Sequence, residues 1–249
     1  MQHTRTSAGT EPMRPADAAN AEWQRLQPQT LVDLAIEAII AGAAAGRILP
    51  GDRIVEAELA RKLGVSRVPV REALRLLESQ GVVVNEPYKG IRLRPVTNER
   101  VSDLIEARIA LEASATARAV AAGRNRGGHL DLLRNAVDEM ELMAARKDAY
   151  GVAVADTKFH RALCLLGGNS VTLDLWETLA RQFTIIFGLA TFGKPMLGVV
   201  EEHQELLAIF EAGNIAAIGA TLDDHITVMN HAMDYEAIIA RRRAEREKQ

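Results

Sequence analysis

The chain has 249 residues, of which 48% are hydrophobic and 25% are charged, a balance typical of soluble globular proteins. Only 4% of the residues are aromatic and there is a single cysteine, so the composition favours helix over sheet and excludes internal disulfides. No apolar run approaches the ~20 residues of a membrane-spanning helix, and the N-terminus lacks the apolar centre of a secretory signal. We therefore expect a cytoplasmic protein that does not contact a membrane.

The net charge of −3 is unevenly distributed along the chain. Residues 28–95 carry ten basic and eight acidic side chains, whereas residues 96–249 carry seventeen basic and twenty-two acidic side chains. A mildly basic segment followed by an acidic one is compatible with a DNA-binding domain attached to a domain of another kind. Residues 1–27 are rich in Ala, Thr, Pro and polar residues without hydrophobic periodicity, so we predict a flexible tail there.

Residues 28–95 contain three helical patterns followed by two short strand patterns. Thr30 and Ser66 are suitable N-caps, and Gly46, Gly64 and Gly81 are suitable terminators. The predicted helices run from Leu31 to near Gly46, from about Glu56 to Leu63 and from Arg67 to about Gln80, and the predicted strands are Val82–Val84 and Ile91–Leu93. Three helices followed by a β-hairpin is the order of a winged helix-turn-helix domain.

From Thr97 onward the strand pattern disappears and six helical patterns follow, separated by short breaks that contain glycine or proline. They lie near residues 98–123, 128–147, 150–167, 169–190, 196–212 and 214–243. Short connections between long helices imply antiparallel neighbours. We therefore predict a mostly α protein in which residues 96–249 form an antiparallel six-helix bundle after the winged helix-turn-helix domain.

The third predicted helix carries a basic stripe. Arg67, Arg71 and Arg75 follow one another at intervals of four, so they share a helical face distinct from the apolar one. The planar arginine fork can pair with guanine or clamp a phosphate. Ser66 and the helix N-terminus can hold a phosphate, and Pro69 fits the first turn. The alternative is an ordinary solvated face, but the preceding helix and the following hairpin favour a DNA-recognition helix.

Several short motifs closely resemble the N-terminal domain of GntR-type bacterial transcription regulators. They are Leu49-Pro50-Gly51-Asp52, Leu59-Ala60, the run from Gly64 to Leu74, and Leu77-Glu78. The resemblance covers residues 30–95 without a gap, and it implies a winged helix-turn-helix that binds operator DNA.

The resemblance also implies which residues contact the operator. By position in the motif they are Ser66, Arg67, Pro69 and Arg71, with Arg75 on the same stripe. Lys89 and Gly90, at the hairpin tip, would enter the adjacent minor groove. Two positions depart from the family pattern: Ala57 stands where some members have Arg, and Tyr88 stands where a small polar residue is common. We therefore expect a base preference that differs from that of better-known members.

Four candidate metal ligands lie in the second half of the chain. Asp156 and His160 are four residues apart, so on a helix they project from one face about one turn apart. His203 and His225 fall in two later helical patterns. Three imidazoles and one carboxylate from three helices could converge in a bundle core and hold a divalent ion. Each histidine taken alone is more often structural, and an Asp/His pair at this spacing is also common on helix surfaces.

The second half as a whole resembles the all-helical FCD effector-binding domain of one GntR subfamily. The resemblance rests on Glu106-Ala107-Arg108 with Leu111-Glu112, on Asp156-x-x-x-His160, on Glu202-His203 and on His225. In metal-binding members, an Asp and three His in this order and at similar spacing bind a divalent cation. The resemblance therefore implies a metal site at Asp156, His160, His203 and His225.

Imidazole and carboxylate ligands suit Zn²⁺, Ni²⁺, Mn²⁺ or Fe²⁺. On an octahedral ion, four protein ligands leave two positions in which a small carboxylate or sugar-acid effector could bind, whereas on tetrahedral zinc the site would be closed and structural. Arg108 is the best candidate to pair with an effector carboxylate, and an ion pair with Glu112 is the alternative. The weaker pocket candidates are Arg161, Asn169, Arg181 and Thr184, and we interpret Trp176, Phe183 and Phe187 as core residues.

These patterns favour a ligand-responsive transcription regulator, usually a repressor in this family. We expect a homodimer, because the two half-sites of a palindromic double-stranded operator need two readers at a fixed spacing. The alternatives are a metalloenzyme that uses the Asp/His site and a regulator that senses the metal itself. No general base, nucleophile elbow or phosphate loop accompanies the site, so we predict that the chain is not an enzyme.

Overall fold

The structure is a computed structural model of the chain and describes residues 30–191, 196–231 and 233–248. The predicted tail, residues 1–27, lies outside the described residues. The described part consists of ten α-helices, one short 3-10 helix and one two-stranded antiparallel sheet, which confirms the prediction of a mostly α protein. None of the helices in that part is long and apolar enough to cross a membrane.

The first three helices and the hairpin form the predicted winged helix-turn-helix. Its elements are α1 (Leu31–Ala44), α2 (Glu56–Leu63), α3 (Arg67–Ser79), β1 (Val83–Glu86) and β2 (Gly90–Leu93). Gly64 ends α2 with a φ of 67°, in the left-handed region that glycine adopts most readily. The hairpin begins and ends in register, with Val83 opposite Leu93 and Glu86 opposite Gly90.

The apolar face of α3 determines which side of this helix is exposed to solvent. Val70, Leu74 and Leu77 recur at helical spacing, are at most 1% exposed, and share a core with Ile39 of α1. Full burial of an aliphatic side chain of this size stabilises a fold by about 1.5–3 kcal/mol. Because this face is buried, the arginine stripe on the same helix is left exposed to solvent.

The rest of the chain is helical. The remaining elements are α4 (Asn98–Ala121), a 3-10 helix (Gly127–Leu130), α5 (Asp131–Ala145), α6 (Ala149–Leu166), α7 (Ser170–Thr191), α8 (Met196–Ala212), α9 (Ile215–His231) and α10 (Tyr235–Arg246). Helix α6 packs against α4, α5 and α7, so it lies at the centre of this part of the fold. Its Ala153, Phe159 and Leu163 are at most 1% exposed within a large core that also includes residues of α8 and α9.

The prediction of six helices in this part was wrong in one place, because the stretch near 214–243 forms two helices, α9 and α10. The side chain of Asp234 caps α10 by accepting a hydrogen bond from the backbone N–H of Ala237. Asn98 of α4 fixes the same turn, since its Oδ1 accepts a hydrogen bond from the N–H of Tyr235 at 2.9 Å. The break lets Tyr235 bury its ring, which is 1% exposed.

Helix α7 is shared between the two parts of the fold. Its Ile185 and Leu189 are buried in the core of the winged helix-turn-helix, whereas Phe183 and Ile186 belong to the core of the helical part. At the end of α3, Gln80 bonds twice to α7: its carbonyl accepts a hydrogen bond from Gln182 at 2.9 Å, and its side chain accepts one from Arg181. Helix α7 is therefore hydrogen-bonded to the C-terminal end of α3.

The C-terminal helix also contacts the winged helix-turn-helix. Arg243 donates to Oδ1 of Asp52 at 3.0 Å and to the carbonyl oxygen of Pro50 at 2.9 Å, and Arg246 donates to the same carboxylate. The Leu-Pro-Gly-Asp turn thus serves as the docking point of α10. The basic end of α10 is bound to the turn between α1 and α2.

Candidate metal centre and DNA-reading face

The structure brings together the four predicted metal ligands. Asp156, His160, His203 and His225 are buried, and one ligand atom from each lies within 4.8 Å of the others. The ring centroids of the three histidines are 4.6–5.3 Å apart. Oδ1 of Asp156 lies 3.1 Å from Nε2 of His203 and 3.9 Å from Nε2 of His160. The i, i+4 spacing on α6 thus positions two of the groups, and α8 and α9 supply one each.

The Nδ1 atom of each histidine faces an oxygen atom outside the cluster. Nδ1 of His160 is 2.6 Å from Oε2 of Glu112, and Nδ1 of His203 is 2.7 Å from the carbonyl oxygen of Val199. Nδ1 of His225 is 3.4 Å from Oε2 of Glu202. A ring that donates from Nδ1 carries its lone pair on Nε2, so His160 and His203 present Nε2 as a ligand atom towards Asp156.

Several polar atoms of the cluster have no hydrogen-bond partner although they are buried. Among them are Nε2 of His160, Nε2 of His203 and Oδ2 of Asp156, and Nη1 of the neighbouring Arg108 is unpaired as well. Buried polar atoms are normally paired, and such a group of unpaired ones indicates a site for an ion or ligand. Two atoms that bind one ion at about 2.1 Å are at most ~4.2 Å apart, so the four side chains, whose ligand atoms lie within 4.8 Å of one another, would need to move only slightly to hold one. The donor set therefore fits a divalent metal.

The protonation states also suit a cation. Burial alone raises the pKa of Asp156, but the adjacent His203, His160 and Arg108 side chains outweigh it and hold this pKa well below its ordinary value. Burial and the Arg108 charge lower the pKa of His160 to about 4, against the opposite effect of Glu112 and Asp156. At neutral pH Asp156 is thus a carboxylate and His160 a neutral imidazole, the forms that bind metals.

Arg108 lies beside this cluster with its side chain fixed on several sides. The residue is 1% exposed, and its guanidinium lies over the rings of Phe183 and Phe187 at 5.1 and 4.8 Å from the centroids. Nε donates to Oε1 of Glu112 at 2.8 Å, and Nη2 is 3.8 Å from Oδ2 of Asp156. The alternative ion pair with Glu112 is therefore present. Because Nη1 has no partner, Arg108 also keeps a donor for a ligand.

The other candidate pocket residues do not join the cluster. Arg161 forms an exposed ion pair with Glu177, Asn169 accepts hydrogen bonds from the backbone at the start of α7, Arg181 bonds to Gln80 and Thr184 bonds to Thr157. Trp176, Phe183 and Phe187 are buried, as expected of core residues. Sequence reasoning underrated Glu112, which is fully buried and bonds to His160, Arg108 and Trp176. Its position four residues after Arg108 in a helix was the available indication.

The arginines of α3 are exposed, and two of them are held by acidic neighbours. Arg71 donates to Glu56 of α2, with Nη2 3.1 Å from Oε2, and Nη1 of Arg75 is 2.9 Å from Oε1 of Glu72. Arg67 is also exposed. Operator phosphates or bases would have to replace these carboxylates as partners.

Around the stripe, the remaining predicted DNA contacts differ in exposure. Ser66 occupies the N-cap position of α3 without a side-chain cap hydrogen bond, so its hydroxyl is not used by the helix. Pro69 is buried, which argues against a direct DNA contact by this side chain and favours a role in stiffening the first turn. Val68 is 66% exposed and was missed; at the start of α3 it could contact a thymine methyl group.

The hairpin tip is exposed as well. Tyr88 has a φ of 64° and projects fully into solvent, and Gly90 has a φ of 78°. Lys89 is exposed and forms an ion pair with Glu86 at 3.1 Å. The hairpin tip thus presents an aromatic side chain to solvent.

Comparison with known proteins agrees with this architecture. Residues 33–93 match the gntR family of bacterial regulatory proteins, and residues 103–228 match the FCD domain. The chain is 28% identical over 207 residues to a probable D-xylose utilization operon transcriptional repressor from Paenarthrobacter nicotinovorans, covering 83% of this chain and 90% of the relative. It is 33% identical over 187 residues to an uncharacterized HTH-type transcriptional regulator from Streptomyces ambofaciens, covering 72% and 75%.

Solved structures show the same fold. A GntR transcriptional regulator from Rhodococcus sp. RHA1 aligns with a TM-score of 0.65 and 25% identity over 81% of this chain and 94% of the other. McbR/YncC from E. coli aligns with a TM-score of 0.67 and 20% identity over 84% and 98%, a likeness of fold. With both of its parts matched, the chain belongs to the GntR family and is a DNA-binding transcriptional regulator of the FCD type, not an enzyme.

Proposed function

We propose that this regulator is a homodimeric repressor that acts in the cytoplasm on a palindromic operator. Its helical domain would bind a divalent metal and a small organic acid that changes operator affinity. One observation carries the proposal: unpaired ligand atoms of Asp156, His160 and His203 lie in one buried cluster, and the buried Arg108, whose Nη1 is unpaired, brings Nη2 to 3.8 Å from Oδ2 of Asp156.

Asp156, His160, His203 and His225 would hold the cation. When bound, the cation supplies a positive centre that can accept a carboxylate or hydroxyl oxygen of the effector. Arg108 would contribute a charge-assisted hydrogen bond from Nη1 to the same carboxylate. Its guanidinium is already oriented by Glu112 and by two aromatic rings, so little side-chain entropy remains to be lost on binding.

DNA binding would use Ser66, Arg67, Arg71 and Arg75 of the recognition helix, together with Lys89 and Gly90 of the wing. A dimer is proposed because two recognition helices must reach half-sites that are one helical turn of DNA, or a multiple of it, apart. The stripe is exposed as a dimeric reader requires, and its carboxylate partners Glu56 and Glu72 can be exchanged for phosphate.

The response to the effector would pass through α7. The guanidinium of Arg108 lies on Phe183 and Phe187 of this helix, and Ile185 and Leu189 of the same helix pack into the winged helix-turn-helix. An acid that binds to Arg108 would stabilise one position of α7 relative to another. Operator affinity then changes by as much as the acid's affinities for the two placements differ.

A thermal-shift screen tests the proposal. Chelator-treated protein is first titrated calorimetrically with Zn²⁺, Ni²⁺ and Mn²⁺, with His203→Ala as the variant that removes one ligand. Small carboxylates and aldonic acids are then screened with and without EDTA; D-xylose is included because one relative is named for its utilization. We expect metal binding by the wild type alone, and acid-induced stabilisation that EDTA abolishes. Acid shifts that persist in EDTA would remove the metal from the effector site.

A second measurement tests whether the metal itself is the signal. Four protein ligands are sufficient to close a tetrahedral zinc site, so operator release is also followed while metal is added without acid. Release by acid on the metal-loaded protein supports the proposal. Release by metal alone, with no further effect of any acid, would instead make this protein a metal sensor.

A further inference from the structure

Glu112 is a buried carboxylate that contributes no ligand atom to the cluster and yet joins three helices beside it. It lies on α4 and is 0% exposed. Its Oε1 accepts hydrogen bonds from Nε of Arg108 and from Nε1 of Trp176 on α7, both at 2.8 Å. Its Oε2 lies 2.6 Å from Nδ1 of His160 on α6. A carboxylate whose polar neighbours are all hydrogen-bond donors is well stabilised even where water is excluded.

The chemistry of these donors restricts what His160 can do. The indole and guanidinium N–H groups can only donate, so Oε1 accepts both of them and the carboxylate is held in one orientation. Oε2 is thereby aimed at Nδ1 of the imidazole, and because a carboxylate oxygen can only accept, the proton of this hydrogen bond has to come from Nδ1. The lone pair of the ring is then on Nε2, the atom that faces Asp156 at 3.9 Å and has no hydrogen-bond partner.

We infer that Glu112 is a positioning residue that selects the Nδ1–H tautomer of His160 and orients Arg108 at the same time. It acts through these two side chains and touches neither metal nor effector. The functional consequence rests on the proposed metal centre, but the tautomer is a property of the metal-free protein. Outer carboxylates that orient metal-binding histidines typically change metal affinity by about 10–100-fold when they are replaced.

Glu112→Gln is the informative variant because it keeps the shape of the side chain. An amide cannot accept hydrogen bonds at both of its ends, so it must present an N–H group either to Nδ1 of His160 or to the donors of Arg108 and Trp176. The first arrangement favours the Nε2–H tautomer, which has no lone pair to offer at the centre. Glu177→Gln is the matched control: it removes a carboxylate from a side chain that is 42% exposed and pairs with Arg161 at the surface.

The experiment has two readouts on the full chain. Long-range ¹H–¹⁵N correlation spectra of metal-free, histidine-labelled protein report the tautomer of His160, which is assigned with a His160→Gln spectrum. Calorimetric titration with Zn²⁺ alone then compares the wild type, Glu112→Gln and Glu177→Gln. We expect the Nδ1–H tautomer in the wild type and in Glu177→Gln, its loss in Glu112→Gln, and a zinc affinity lower by about 10–100-fold in Glu112→Gln only.

The outcomes separate this inference from the proposed function. An Nε2–H tautomer in the metal-free wild type would overturn the role of Glu112, and this measurement stands even if Glu112→Gln does not fold. Unchanged zinc affinity in a folded Glu112→Gln protein would overturn it as well. A wild type that shows the Nδ1–H tautomer but binds no metal would support the orientation of His160 by Glu112 and overturn the metal centre.

Discussion

Gly188 of α7 lies directly against Ala44 of α1: a Cβ atom added to the glycine would stand 2.5 Å from the Cβ atom of Ala44. Carbon atoms that are not bonded to each other do not approach so closely, so the two helices pack at this distance only because residue 188 lacks a side chain. The contact is formed at the boundary between the DNA-binding and the helical parts of the fold. Shape alone therefore makes this boundary sensitive to a single methyl group.

Gly188→Ala should destabilise the protein. The methyl group forces α1 and α7 apart, and overpacking of this kind costs about 1–3 kcal/mol, which outweighs the ~1 kcal/mol gain in helix propensity. Denaturant unfolding measures the difference. Gly219→Ala is the control, because a Cβ atom at that helical position meets nothing within 4 Å. Equal stability changes in the two variants would contradict the close packing at Gly188.

Arg71→Ala should abolish most operator binding without affecting the fold or the oligomer. A bidentate arginine contact to a base contributes about 1–3 kcal/mol, so affinity should fall about 5- to 150-fold at physiological salt. Fluorescence anisotropy with an operator fragment selected from random DNA measures this, with Arg161→Ala as the surface-arginine control. Retained operator affinity in Arg71→Ala would refute the assignment of α3 as the recognition helix.

Glu56→Gln should strengthen operator binding. The carboxylate of Glu56 holds Arg71 in the free protein, and this ion pair must be given up before Arg71 can contact DNA. Exposed pairs contribute at most ~1 kcal/mol, which corresponds to an increase in affinity of about twofold to fivefold. Glu58→Gln removes the same charge from the same helix but releases Lys62 instead. If both variants bind alike, general electrostatics explains the gain, and the pair with Arg71 does not.

Low pH should destabilise the metal-free protein. The pKa of His160 is lowered from its ordinary 6.5 to about 4 in the folded chain, mainly by burial. Between these two pH values the unfolded chain binds more protons, so the stabilisation is present above pH 6.5 and is lost as the pH falls towards 4. The loss is on the order of 3 kcal/mol, and the lowered pKa of Asp156 extends it to lower pH.

Urea unfolding at a series of pH values in the presence of EDTA measures this loss. His160→Gln cannot titrate at this position, so its stability should depend less steeply on pH in the same window. A wild-type stability that stays constant from pH 7 to pH 4 would mean that His160 takes up its proton at the same pH in the folded and the unfolded chain.

Local spacing was enough to predict much of this molecule. Asp156 and His160 could be placed on one helical face because the α-helix has a fixed period, and the apolar stripe of α3 predicted which side of that helix is buried. The hairpin could likewise be predicted from the strand pattern and the glycines that flank it. These features depend on residues that are close together in the sequence.

What sequence reasoning missed depends on contacts between distant residues. The ion pair of Arg71 with Glu56 joins two helices, and the break between α9 and α10 is fixed by Asn98, more than one hundred residues away. The convergence of His203 and His225 on Asp156 could be expected only from the family resemblance, because periodicity does not orient one helix against another. The burial of Pro69 and Glu112 likewise became apparent only with the packing around them.

The hydrogen bond between Trp176 and Glu112 makes Trp176 an intrinsic fluorescent reporter of the buried cluster. The chain contains two tryptophans, and Trp176 is the one within the described residues. Its indole is 0% exposed and donates to the carboxylate that also orients His160 and Arg108. The emission wavelength of an indole follows the electric field across its ring, and this field is set by the same charges that a cation or an acid would rearrange. Ultraviolet fluorescence of the unlabelled protein should therefore report the arrival of the proposed cation or acid.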